Sequence, residues 1–268
     1  MSRIIFYDLA CKKPNYAWGP NNWKIRYALN YKRIPYTTEW LEFTEIEAIC
    51  REKGIPPTMK KVDGSPMYTL PAIWDPNTKT GLADSLTIAA YLERTYPDTP
   101  ATFFPGITNP EYMQIMNAIT LPEMKGIRWF VVPRVCDLLN EASQPYFRST
   151  REAMFGRRLE DVLPKEGEEA QAVWGEVRKG LDIVDGWLAE SRARASAGES
   201  GSSGPFARGE QVTYVDFALA GYLVWVRYVL GEDSWQWKDI LVQNEGRWRM
   251  LIEGLEKYEK PMPEERNA

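Results

Sequence analysis

Residues 69–85 read TLPAIWDPNTKTGLADS, and their local chemistry sets the architecture of the first hundred residues. Thr69 to Trp74 is apolar and rich in strand formers, Asp75 to Gly81 is a turn, and Leu82-Ala83 fits a very short further strand. Asp84 then supplies a helix cap, and the helix runs through Tyr91 and Leu92 until Pro97 ends it. Two features of this run suit ligand binding. Pro71 removes a ladder donor, and if the Leu70-Pro71 bond is cis, the backbone turns so that Leu70 offers its N–H and C=O to an extended peptide. A plain trans proline at a sheet edge is the alternative. Asp84-Ser85 opens a helix, where free amides and the positive dipole end attract an anion. Ser85 would hold a carboxylate and Asp84 an ammonium, against the simpler alternative that Asp84 only caps.

Upstream, Arg3 to Asp8 suits a buried strand, and Lys12 to Asn22 is a loop punctuated by Pro14, Gly19 and Pro20. Asn22 can cap a helix with Ile25, Ala28 and Leu29 on its apolar face and Lys24, Arg26 and Lys32 in water. Tyr36 to Phe43 is a second strand. Thr44 and Glu47 have capping-box spacing for a short helix over Glu45 to Lys53, and Ile55 to Met67 reads as loop. The order β-α-β-α-β-β-α over residues 1–97 matches a thioredoxin-like domain. Residues 98–108 form a linker, and from 109 to 268 only helical periodicity remains. The expected fold is an α/β thioredoxin-like N-terminal domain followed by an all-α helical bundle. In the second domain Tyr112, Ile115, Met116 and Ile119 fall on one face, and Pro122 and Pro133 should kink or divide the helical stretch in which they lie. Helices fit Pro145 to Val162 and Glu168 to Ser191, with a small-residue flexible loop over 195–204. Thr213 and Asp216 form a capping box before a helix apolar nearly all round, which should be central and buried.

Composition excludes much. The chain has 268 residues, 44% of them apolar and 26% charged, which is the make-up of a folded globular protein of one or two domains. A net charge of −4 argues against nucleic acid as a partner. There is no histidine, so no Ser-His-Asp or Cys-His centre and no HExxH zinc site is available. Cys11, Cys50 and Cys136 are too far apart for a CxxC pair, so no metal is expected, and a sparse odd set suits a reducing cytosol. The chain opens without a charged-then-apolar leader. Its longest apolar run, Phe217 to Val226, has 10 residues where a membrane span needs about 20. A cytoplasmic protein with no membrane partner is expected.

Five features occur together and in register: Phe6-Tyr7-Asp8 closing the first strand, the segment Asn21 to Leu29, Leu70-Pro71-Ala72-Ile73, Asp84-Ser85, and Thr213-x-x-Asp216. With them the chain resembles a cytosolic glutathione transferase. Tyr7-Asp8-Leu9, the Trp23 to Leu29 segment and Pro145 to Gly156 look most like the fungal A class, which is similar to bacterial β-aryl etherases. The resemblance implies glutathione as co-substrate, a homodimer, and small hydrophobic or aromatic molecules as partners. It implies that Leu70 bonds the cysteinyl backbone beside a cis Pro71, and that Asp84 and Ser85 bind the γ-glutamyl end. It also supplies the nucleophile that a histidine-free chain lacks, namely the thiol of the ligand.

The protein's task is then to stabilise a thiolate, which needs a donor. Aligned on Trp23, the serine of etherase-like relatives falls at Gly19, which has no hydroxyl. The remaining donors are Asn22 and, second, Asn21, with Trp23, Tyr7 and Tyr16 behind them. Cys11 could alternatively form a mixed disulfide. Trp18, Tyr112, Ile115, Met116, Ile119 and Trp129 offer an aromatic, apolar wall for a second substrate, or else simply pack the core. Lys53, Lys60 and Lys61 are available cations for the glycine carboxylate. Three functions fit: conjugation of electrophiles, storage of phenolic compounds as a ligandin, or glutathione-dependent cleavage of aryl ethers.

Overall fold

The computed structural model describes residues 2–61, 63–103, 117, 121–195 and 204–260. Six strands occupy the N-terminal part: β1 (Ile4–Leu9), β2 (Tyr36–Leu41), β3 (Met59–Lys60), β4 (Pro66–Met67), β5 (Ala72–Asp75) and β6 (Thr80–Ala83). Four of them form one sheet in the order β2-β1-β5-β6. β1 runs parallel to β2, with Ile4 opposite Tyr36, while β5 and β6 add antiparallel. A parallel pair needs a crossover, and α1 (Pro20–Tyr31) supplies it. α2 (Ile46–Glu52) and α3 (Ser85–Thr95) complete the unit. The stretch from Ile55 to Met67, expected as loop, contains the small β3-β4 pair.

Three local expectations are corrected. α1 begins at Pro20 with Gly19 as its N-cap, so Asn22 sits inside the first turn instead of capping it. Proline is favoured at that first position because its missing N–H would have no partner there. α2 is preceded by Glu45 and has no side-chain cap; Glu47 pairs with Arg51 and Lys61 instead of closing a box with Thr44. Lys24, Arg26 and Lys32 are buried, not in water: α1 packs against the helical domain, Arg26 reaches back to Asp8 of β1, and Lys32, just past the helix end, pairs with Glu93 of α3.

The helical domain contains α4 (Ile127–Leu138), α5 (Gln144–Phe155), α6 (Glu168–Ala195), α7 (Tyr214–Leu230) and α8 (Trp235–Leu255). Pro133 lies within α4 and does not divide it; it removes one i→i−4 bond. α5 stops at Gly156, whose φ of +67° suits glycine, and Leu159–Asp161 forms a separate 3-10 turn. Tyr112, Ile115, Met116 and Ile119, the 104–108 part of the linker and most of the 195–204 loop lie outside the described residues. Among the described residues no helix is long and apolar enough to cross a membrane.

α7 is the central buried helix that its composition implies, buried from Tyr214 to Val226, with both capping-box bonds formed by Thr213 and Asp216. It sets the position of α1. A Cβ on Gly221 would stand 2.8 Å from the Pro20 carbonyl oxygen and 3.2 Å from the Trp23 Cβ, so only glycine lets the first turn of α1 lie directly on α7. Aromatic stacking extends the seam: Trp23 lies on Tyr228 at 5.0 Å between ring centres, and Tyr27 on Phe217 at 5.9 Å. Each such pair contributes about 0.5–1.5 kcal/mol beyond its buried area.

Candidate active site

A cavity of about 770 Å³ opens between the two domains, within the size range of small-molecule sites. The N-terminal domain lines it with Trp18, Gly19, Asn21, Asn22 and Lys24 and with the 67–70 segment that ends at Leu70. The helical domain faces them with Arg128 and Val132 of α4, Tyr146 and Arg151 of α5, and Tyr222 and Trp225 of α7. Among the described residues no group of acids and cysteines could hold a metal.

The Leu70-Pro71 peptide bond is cis. Leu70 stands just outside the β1-β5 ladder, which begins at Ala72, and it lines the cavity. Asp84 caps α3, its carboxylate accepting the Thr87 N–H at 2.9 Å, so the simple capping alternative is realised. Its backbone is nevertheless at φ +75°, ψ 127°, a conformation a non-glycine residue holds at a cost of order 1–3 kcal/mol and which clusters at ligand clamps. Asp84 and Ser85 do not line the cavity, whereas Lys24 does and lies close enough to feel the Asp84 charge. That lysine lines the cavity while buried to 6% exposure; burial pushes its ammonium down to about 8, and Asp84 opposes the shift. The sequence pattern had placed Lys24 on a solvated face.

Asp84→Gly should separate fold from binding. Glycine relieves the positive φ and is almost as good an N-cap, so stability should hold within about 1 kcal/mol. If Asp84 receives the ammonium of a bound γ-glutamyl group, as the resemblance implies, glutathione affinity measured by calorimetry should fall about tenfold; unchanged affinity would remove Asp84 from that role.

Most of the proposed thiol donors are committed elsewhere. The Trp23 indole donates to the Ala17 carbonyl at 3.1 Å, so the ring belongs to the domain seam and does not line the cavity. The Tyr16 hydroxyl donates to the Tyr228 carbonyl at 2.8 Å. Tyr7 is fully buried off the cavity, and burial pushes its phenol up to about 12. Asn22 lines the cavity, but its amide donates to the Tyr7 carbonyl at 3.2 Å. Asn21 is exposed on the cavity wall, and among the described residues its carboxamide has no hydrogen-bond partner. The backbone N–H groups of Asn21 and Asn22 are first-turn donors of α1.

The three cysteines are free and buried, burial raises each thiol, Cys50 to about 11, and none lines the cavity. Trp129 also turns away, packing on Phe155 at 5.3 Å beneath the Arg157 guanidinium. Trp18 does line the cavity. Of the three lysines, Lys61 reaches it and pairs with Glu47 at 3.2 Å, Lys53 pairs with Glu52, and Lys60 is exposed elsewhere.

Known proteins match the chain along nearly its whole length. Residues 18–95 match the glutathione S-transferase N-terminal domain and residues 116–258 the glutathione S-transferase C-terminal domain. The glutathione S-transferase-like protein ustS of Aspergillus flavus is 31% identical, over 93% of this chain and 88% of its own. Glutathione transferase GSTFuA3 from Phanerochaete chrysosporium is 40% identical with a TM-score of 0.83, covering 98% of this chain and all of its own. A glutathione S-transferase of Ceriporiopsis subvermispora, solved in complex with glutathione, is 37% identical with a TM-score of 0.86 and the same coverage. With both domains matched in order, and relatives this similar from end to end, the chain belongs to the glutathione transferase family.

Proposed function

We propose that this protein binds glutathione, lowers the pKa of its thiol, and lets the thiolate attack an electrophilic aromatic or hydrophobic compound held in the interdomain cavity. The observation that carries the reading is the convergence on one cavity of Leu70 beside its cis proline and the free first turn of α1. Leu70 would pair with the cysteinyl backbone, while Ser85, Asp84 and Lys24 receive the γ-glutamyl end. The sulfur would then lie against Asn21 and the backbone N–H groups of Asn21 and Asn22, where the helix dipole favours negative charge. Lowering a thiol pKa from about 8.5 to roughly 6.5 takes about 2.7 kcal/mol, which one or two hydrogen bonds and a helix N-terminus can supply. The thiol proton leaves to solvent, the sulfur–carbon bond forms, and the leaving group departs with its electron pair. The family resemblance also makes a cytoplasmic homodimer the expected working form, readable by sedimentation equilibrium.

Conjugation of 1-chloro-2,4-dinitrobenzene tests the reading. Asn21→Ala should lower kcat/KM about tenfold, the worth of one good hydrogen bond to a charged group, and an unchanged rate would remove Asn21 from the thiolate site. Gly19→Ser should act in the opposite direction. Its added Cβ would meet the Asn22 Oδ1 at 3.3 Å and Leu9 Cδ1 at 3.4 Å, and its backbone is ordinary at φ −73°, so the serine fits with a small adjustment. It should add a few tenths of a kcal/mol as an N-cap and raise turnover by placing a hydroxyl near the sulfur.

The missing hydroxyl at position 19 also favours a second reading, that of a ligandin. Micromolar binding of polyphenols without detectable conjugation would establish that role in place of catalysis. Cleavage of a model β-aryl ether would establish the etherase relation, and an intact ether would dismiss it.

A further inference from the structure

The helical wall of the cavity carries more positive charge than a surface for neutral hydrophobic molecules requires. Arg128 of α4 and Arg151 of α5 both line it and both are half-buried. Among the described residues no carboxylate stands within 4 Å of either guanidinium. Arg151 donates to the Thr150 hydroxyl at 3.0 Å and lies over the Phe147 ring at 4.7 Å and the Phe43 ring at 5.9 Å. Arg128 stands near the hydroxyl of Tyr222, where its positive charge opposes the upward push that burial gives the phenol, and that hydroxyl donates to the Met124 carbonyl at 2.9 Å. Glu47 is the one acidic side chain on the described wall, and it is already shared between Arg51 and Lys61.

Burying two like charges without a counterion is unfavourable, and burial lowers the Arg151 pKa, with Tyr146 opposing and Arg128 adding like-charge repulsion. Two residues of the lining also carry buried donors: the indole N–H groups of Trp225 on the helical wall and of Trp18 on the facing wall meet no acceptor among the described residues.

We propose that this wall selects aromatic ligands bearing a negative group, a carboxylate, sulfonate or phenolate, whose oxygens meet Arg128 and Arg151 while the ring packs on the aromatic side chains around them. The guanidinium fork suits such oxygens better than an ammonium does. The proposal rests on the preceding reading only in making this anion the second occupant of the cavity; the arginine pair would select the same charge in the absence of glutathione.

The test uses two fluorescent probes with one skeleton, 8-anilinonaphthalene-1-sulfonate and the uncharged N-phenyl-1-naphthylamine, titrated into wild type and the Arg128→Gln/Arg151→Gln variant. The Kd for the sulfonate should rise about tenfold or more, equivalent to about 1.4 kcal/mol, while that for the neutral probe should move less than about twofold. Arg151→Lys, which keeps the charge but not the fork, should lose less sulfonate affinity than Arg151→Gln, and added salt should weaken sulfonate binding to wild type selectively. Equal losses for both probes, or no loss for the sulfonate, would overturn the proposal. If the double variant fails to fold by circular dichroism, Arg151→Gln and the salt series on wild type decide, and salt-insensitive sulfonate binding then rejects it. Calorimetry with glutathione separates the two readings. A flat glutathione trace with the sulfonate preference intact sinks the transferase reading alone, and normal glutathione binding without the preference sinks this one alone.

Discussion

Asp8→Ala is expected to destabilise the fold by about 3–5 kcal/mol, the usual result of leaving one member of a buried ion pair uncompensated. Asp8, fully buried at the end of β1, receives the Arg26 guanidinium at 2.7 Å and the Leu9 N–H at 2.7 Å. Burial pushes the Asp8 carboxyl up from its ordinary value, and Arg26 opposes that shift. Arg26 is enclosed in turn by the rings of Phe6, Trp23, Tyr36 and Trp40, at 5.2 to 6.0 Å from their centres. Without the carboxylate the guanidinium would remain in that aromatic cage with, among the described residues, Tyr36 and Thr38 as its hydrogen-bond partners. Urea denaturation measures the loss. Adding Arg26→Met to Asp8→Ala should recover part of it, because the stranded charge is then gone; additive losses would show the pair to be uncoupled. The pair also borders the site, since Asn22, near Asp8, donates to the Tyr7 carbonyl at the start of α1.

Asp216→Ala should be comparably severe, at roughly 3–6 kcal/mol, because three buried donors lose one acceptor group. The Asp216 carboxylate accepts from the Ala207 N–H, the Thr213 N–H and the Thr213 hydroxyl, each at 2.7 Å. The bond from Ala207 ties the incoming chain to the head of the central helix, so the loss reaches beyond a frayed cap. Burial pushes this carboxyl up to about 6, above its usual 3.8. The folded chain therefore takes up the proton first. The resulting stabilisation is fully present below about pH 4 and is lost as pH rises through about 6. Thermal denaturation across that window should show a component of this sign in wild type that is missing from the variant. Its persistence in the variant would assign the titration to another group.

The strand, turn and cap of residues 69–85 were legible because short-range chemistry decides them: a proline at the ladder's edge, a turn-forming cluster, and an aspartate before an apolar helix. The capping box at 213–216 was legible for the same reason. Elsewhere tertiary packing overrode the local pattern. Asn22 is a better cap than glycine by side-chain chemistry, yet Pro20 presets the first helical turn and carries Asn22 inside it. Lys24 and Arg26 read as solvated because amphipathicity assumes one wet face, whereas α1 is covered on both sides. The one sequence signal of that burial was Asp8, an acid in an otherwise apolar strand that needed a partner. Arg128 and Arg151 were invisible as a pair, since they lie on separate helices and meet only across the cavity. Trp129 and Trp23 were aromatic residues of the expected type in the expected region, turned by packing into other contacts.

The direct measure of thiol activation is the ultraviolet difference spectrum of glutathione bound to the protein, followed near 240 nm as pH is raised. Ionisation of the bound thiol centred one to two units below the free value of about 8.5 is the expected result. A bound thiol that ionises no earlier than the free tripeptide, or no spectral change because nothing binds, would contradict the claim that this chain cradles glutathione and ionises it.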